Sequence, residues 1–118
     1  MTIKHKILLN YIKDLSIETP DAESLISARE NISKYSLKFD LTSKTLKNKM
    51  IEVDTKLTYE DKTNNKKKTY FEMIYATVVK IEEEETNPEE IKKFILCDLQ
   101  IQIYPKIEKA FLFFCFST

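Results

Sequence analysis

Glycine and tryptophan are absent from this chain of 118 residues, which has one histidine, two cysteines and a net charge of zero. Each shortage closes off a class of function. Without glycine there is no phosphate-cradling loop of the P-loop or dinucleotide type, because close approach of backbone to phosphate needs a residue without Cβ. Turns must rest on Asn, Asp, Ser and Pro instead. One histidine, His5, leaves a histidine-based triad or metal cluster without parts, and its place near the N-terminus reads as a frayed end. Cys97 and Cys115 are too few for a disulfide framework and lack zinc-ligand spacing, so they read as partly buried free thiols in a reducing cytosol. Nineteen basic residues balance nineteen acidic ones, and duplex binding draws on a basic surplus, so a nucleic-acid partner is not expected. No apolar run approaches the roughly 18 residues of a spanning helix. Ile7-Leu8-Leu9 is also too short for the core of a secretory signal, so no membrane insertion is expected. The glutamate run 82–85 lacks the alternating ligand spacing of a calcium loop, and the basic stretch 64–68 reads as a solvated hairpin tip. No catalytic residue, metal or cofactor is expected, and the chain does not read as an enzyme.

The length suits one domain, residues 1–118, with one modest core. Four stretches alternate with period two, as half-buried strands do: roughly 4–18, 32–43, 49–60 and 68–82. In the first, Asp14 and Glu18 fall on one face and Tyr11, Leu15 and Ile17 on the other. In the second, Tyr35, Leu37, Phe39 and Leu41 share a face. The third sets Ile51, Val53, Leu57 and Tyr59 opposite Glu52, Asp54, Lys56 and Thr58. The fourth is apolar on both faces, with Phe71, Met73 and Tyr75 opposite Tyr70, Ile74 and Val78. Short polar links make strands two to four an antiparallel meander. A longer crossover, 20–30, holds about one helical turn capped by Asp21 and suits a Greek-key-like placement of strand one.

The period then changes. Asn87 followed by Pro88, Glu89 and Glu90 is a helix start: a capping side chain, proline at the first position, and acids at the positive dipole end. Ile91, Ile95 and Leu99 recur at helical spacing. Pro105 is expected to break or kink the helix, with Ile107, Ala110, Phe111 and Phe114 forming the buried stripe of a second piece. The end, residues 112–118, is apolar on every side and reads as atypical, truncated or frameshifted.

The order of four strands then helix, with the segment Tyr11, Lys13, Asp14, Leu15, Ser16, Ile17, Glu18 and Pro20, resembles SecB, the bacterial protein-export chaperone family. The segments TYFEMIYATVVKI (69–81) and IYPKIEKAF (103–111) resemble the family's fourth strand and the opening of its long helix. The resemblance runs from about residue 5 to about 112. It implies an α+β fold: a four-stranded antiparallel Greek-key-like sheet with a C-terminal helix on one face, the family's final helix missing here. It also implies a cytoplasmic, ATP-independent homotetramer, a dimer of dimers, that binds unfolded preproteins and hands them to the SecA motor. The SecA-binding residues carried over are Asp14, Glu18, Tyr70 and Glu72. Candidate client-binding residues are Leu25, Ile26 and Tyr35, and Phe71, Met73 and Tyr75 are candidates for subunit or helix contacts. The neutral charge departs from the family's acidity, and Ala76-Thr77 replaces its small glycine pair. Two alternatives stay open: a SecB-like chaperone dedicated to a single partner such as an antitoxin, and a β-rich interaction module that is not a chaperone.

Overall fold

The computed structural model describes residues 3–31, 36–60, 69–83 and 87–115. Along the chain run β1 (His5–Glu18), α1 (Ala22–Glu30), β2 (Ser36–Thr45), β3 (Met50–Glu60), β4 (Tyr70–Ile81), α2 (Pro88–Lys93), a π-helical turn (Phe94–Asp98) and α3 (Leu99–Cys115). The strands form one antiparallel sheet in the order β1-β4-β3-β2. This is the meander of β2, β3 and β4 with β1 returned beside β4, as the length of the crossover predicts.

Local chemistry explains the ends of the elements. Asp21 caps α1 by accepting from the Ser24 amide at 2.8 Å, and the helix runs for nine residues, longer than the single turn expected. Asn87 caps α2 by accepting from the Glu89 amide at 2.9 Å, with Pro88 in the first turn. Replacing Asn87 by alanine is expected to lower folding stability by about 1 kcal/mol in urea denaturation. The β2–β3 hairpin shows what a chain without glycine does at a tight turn. Asn48 and Lys49 both take positive φ, 59° and 60°, and for lysine that conformation brings Cβ too close to the carbonyl. The Lys49 backbone is held there, its carbonyl accepting from the Ile81 amide at 2.9 Å.

The core lies between one face of the sheet and the C-terminal helices. Val53, Leu57, Phe71, Met73, Val79 and Ile81 meet Phe94, Leu99, Ile103, Ile107 and Phe111, all buried. From Leu99 the stripe recurs every four residues to Cys115, so it drifts by about 40° per step around the helix and follows a twisted sheet. At the π turn the Leu99 amide bonds to the Phe94 carbonyl five residues back. That wide turn places Phe94 and Ile95 together against the core ahead of the regular stripe.

Three expectations for this chain are corrected. Pro105 does not end the helix; it lies inside α3. Proline removes the bond to the carbonyl four residues back, that of Ile101. Ile101 and Pro105 both lie on the exposed side, where the freed carbonyl faces solvent rather than the core, while buried Ile103 and Ile107 hold the rod to the sheet. Phe114 is not part of the buried stripe. It is 53% exposed and Cys115 takes the inward position, because the four-residue spacing that carries Leu99 to Phe111 reaches 115. His5 is not frayed: its Nδ1 lies 2.7 Å from the Ile3 carbonyl oxygen, its Nε2 3.2 Å from Gln102 Oε1, and its ring 4.5 Å from that of Phe94. Strand pairing with β4 holds it in place.

Candidate functional site

The face of the sheet turned away from the helices is polar. Alternation in β3 puts Glu52, Asp54, Lys56 and Thr58 there, and the register sets Glu72 opposite Thr58 and Ser16, and Tyr70 opposite Glu60 and Glu18. Directly paired residues of an antiparallel sheet share a face. Asp14, Ser16 and Glu18 therefore lie on the same side as Tyr70 and Glu72, and the four residues expected at a SecA contact stand on one surface.

Tyr11 belongs to that surface too, contrary to simple alternation. Pairing steps from Ile12↔Tyr75 to Asp14↔Ile74, so Lys13 is an extra residue in β1. A bulge of this kind reverses parity on one side of it. Tyr11 thus faces outward although Leu15 and Ile17 face the helices. A second irregularity, between Ile7 and Leu9, restores the original phase.

The bulge places Lys13 over two carboxylates. Its Nζ lies 2.9 Å from Glu52 Oε2 and 2.9 Å from Asp54 Oδ2, while the Tyr11 hydroxyl donates to Glu52 Oε1 at 3.0 Å. These bonds raise the Lys13 pKa through Asp54 and Glu52, lower that of Glu52 through Lys13 and Tyr11, and raise that of Tyr11. Ala76, in register with both Tyr11 and Asp54, is fully buried beneath this layer. Further along, Lys56 Nζ pairs with Glu72 Oε1 at 3.0 Å, and the Tyr70 hydroxyl donates to Glu72 Oε2 at 3.0 Å. Lys56 and then Tyr70 hold the Glu72 carboxyl below its ordinary range. Among the described residues, the side chains of Asp14 and Glu18 have no such cation.

On the helix side the arrangement is different. β2 is an edge strand, and the helices do not fully cover it. Phe39 and Leu41 of β2 with Leu96, Cys97, Gln100, Ile101, Tyr104 and Pro105 line an open groove of about 630 Å³, with Phe39 and Tyr104 ring centroids 5.7 Å apart. Two smaller hollows continue it along Thr42 and Ser43, then Thr45 to Ile51. Ile101 is 75% exposed in this region. Sequence reading missed these residues as a group. The available signal was a second apolar stripe on the helix, Cys97, Ile101 and Tyr104, offset from the buried one.

The other expected residues are dispersed. Leu25 is half-buried at the margin of the core and Ile26 is exposed on α1, whereas Tyr35 lies outside the described residues. Phe71 and Met73 lie fully inside the chain's own core together with the helix residues, and Tyr75 is buried with them. The stretch 64–68 and the second half of the glutamate run fall outside the described residues. Cys97 is exposed, and Cys115 is buried, its thiol pushed up to about 11 by desolvation. Such a thiol is inert at neutral pH.

The sequence matches the family described as "SecB: Preprotein translocase subunit SecB" over residues 2–111. The chain belongs to the SecB family. A curated relative, "Putative protein-export protein SecB" of Pelagibacter ubique (strain HTCC1062), is 46% identical over 112 residues, covering 95% of this chain and 80% of the relative. Among solved structures, the fold is similar to a SecB-like chaperone of Mycobacterium tuberculosis in complex with a ChAD peptide from the HigA1 antitoxin. The TM-score is 0.65 at 11% identity, with 90% of this chain and 77% of that chain covered. The α+β architecture of a four-stranded antiparallel sheet backed by a C-terminal helix is thus that of a SecB-like chaperone. SecB proteins are chaperones rather than enzymes, and they bind client proteins. No described helix is long and apolar enough to cross a membrane.

Proposed function

We propose that this SecB chain is an ATP-independent holding chaperone of the bacterial cytoplasm that binds unfolded preproteins as a homotetramer and delivers them to SecA. The observation that carries the reading is the separation of two surfaces by the sheet. One side presents hydrogen-bonded carboxylates and tyrosines, and the other an apolar groove. A chaperone without nucleotide must hold clients by many weak contacts, and apolar burial at roughly 25 cal/mol per Å² lets several shallow patches suffice. Phe39, Leu41, Ile101 and Tyr104 offer such a patch, and the exposed Ile26 on α1 offers a separate apolar contact. Several grooves in one assembly bind one long chain with avidity. Folded proteins have already buried the residues that would enter, so selection falls on slow folders. Asp14, Glu18, Tyr70 and Glu72 form the SecA docking set on the opposite face.

The test combines mass and activity. Light scattering should give the mass of four chains, and the protein should suppress aggregation of a urea-diluted preprotein near stoichiometry without ATP. A monomer that leaves aggregation unchanged overturns the reading. A chaperone dedicated to one partner, such as an antitoxin, is the second reading. It is favoured by the internal pairing of Glu52, Asp54 and Glu72, which weakens the attraction a basic motor would feel. Holding activity without SecA binding would select it.

A further inference from the structure

The outer face is rich in acids, yet three of its carboxylates already have cations, and one of these, Glu72, belongs to the set expected to meet SecA. Lys13 occupies Glu52 and Asp54, and Lys56 occupies Glu72. The lysines are themselves substantially exposed, at 44% and 42% of their side chains, and the carboxylates beneath are less so, at 16%, 21% and 22%. They thus lie over the carboxylates like lids of opposite charge. Asp54 Oδ1, shielded from solvent, has no hydrogen-bond partner among the described residues. A donor arriving in place of Lys13 would find an acceptor ready.

From this geometry we infer that Lys13 and Lys56 are built-in competitors for the cations of a docking partner, and that they set its affinity and salt dependence by occupying Glu72 and the neighbouring carboxylates Glu52 and Asp54 on the face where it docks. The inference rests on the docking reading above and names what tunes that surface. The physical reason is exchange. An incoming lysine or arginine reaches Glu72 only by displacing Lys56, so its gain is the difference between two similar exposed ion pairs, which are individually weak. Held in register by β1 and β3, the internal lysines need no ordering on docking, whereas the partner's side chains do. The face therefore admits only partners with several cations in the right spacing, and resists isolated basic residues. Among the described residues no cation covers Asp14 or Glu18, which leaves them for first contact. Lys13 and Lys56 are positioning residues in this scheme, acting through the carboxylates they cover.

The experiment compares wild type with Lys13→Met, Lys56→Met and the double variant, chosen because methionine keeps much of the aliphatic stem. SecA binding is measured at low and physiological salt, alongside titration with an octa-arginine peptide as a generic polycation. Each single variant should bind about two- to fivefold tighter at low salt, mostly through a faster association rate, and the double variant should lose affinity more steeply as salt rises. Lys56→Arg should behave as wild type, and Lys56→Met should give no gain where Glu72→Gln is already present. A merely structural role for the lysines would lower thermal stability and leave the association rate and salt slope unmoved. If SecA fails to bind any variant but octa-arginine binds the double variant tighter, the docking reading falls and the competition stands. If Glu72→Gln weakens SecA binding while neither methionine variant tightens SecA or octa-arginine, the competition is overturned.

Discussion

Replacing Phe111 by alanine will remove about 3–5 kcal/mol of folding stability. Its ring is 1% exposed, stacks on Tyr59 at 4.5 Å and meets Phe71 edge-on at 5.5 Å. Truncation loses the transfer free energy of the ring and opens a cavity that Leu57 and Ile107, already fully packed, cannot collapse to fill. A loss of that size is a large share of the whole stability of a domain. Urea denaturation at one fixed protein concentration is the measurement, since assembly would otherwise shift the midpoint. Phe113→Ala is the control: its ring is 62% exposed, and its removal should change stability by less than about 0.5 kcal/mol. A loss under about 1 kcal/mol at Phe111 would mean that the end of α3 does not pack on the sheet.

The second large effect concerns the opposite face. Asp14→Lys combined with Glu72→Lys should weaken SecA binding at least about a hundredfold, because like charges brought together at an interface cost several kcal/mol. Asp14 is two residues from Ser16, which pairs directly with Glu72, so both reversals fall on one patch. The lysine introduced at position 72 would also face Lys56 where an ion pair stood. Both sites are solvent-facing and away from the helix groove, so suppression of preprotein aggregation should stay at the wild-type level. Surface plasmon resonance against SecA checks the first part and a light-scattering aggregation assay the second. Undiminished SecA affinity would remove these acids from the proposed docking surface. Lost holding activity would mean that the two faces are not independent.

Much of this architecture was legible from residue order. Period-two alternation located β3 and β4 to within a residue or two, because their paired residues run without a bulge and each side chain keeps its face. Asp21 and Asn87-Pro88 marked helix starts, since capping is a contact between near neighbours. The segment from Tyr11 to Pro20, with the order of elements and the segments 69–81 and 103–111, pointed to the family that the match over residues 2–111 shows. The candidate site was legible only in part. Asp14, Glu18, Tyr70 and Glu72 proved to share a surface, but Lys13 as the cation between Glu52 and Asp54 was not foreseen. Its partners are 39 and 41 residues away, and the bulge that aims it arises from pairing with β4. The groove on β2 was missed for a related reason. An edge strand and a central strand can carry the same pattern, and only the strand order shows which one lacks a neighbour.

Composition and local pattern alone determined the strands, the helix starts, the absence of phosphate-binding loops and the kinship. These depend on side-chain chemistry and on spacing over a few residues. Tertiary structure alone decided that Tyr11 and Lys13 turn outward, that the helix passes through Pro105, that Phe114 stays exposed, and that three of the acids are already paired. Each of those outcomes is set by which surface lies across from a residue, and distant parts of the chain must meet before that surface exists.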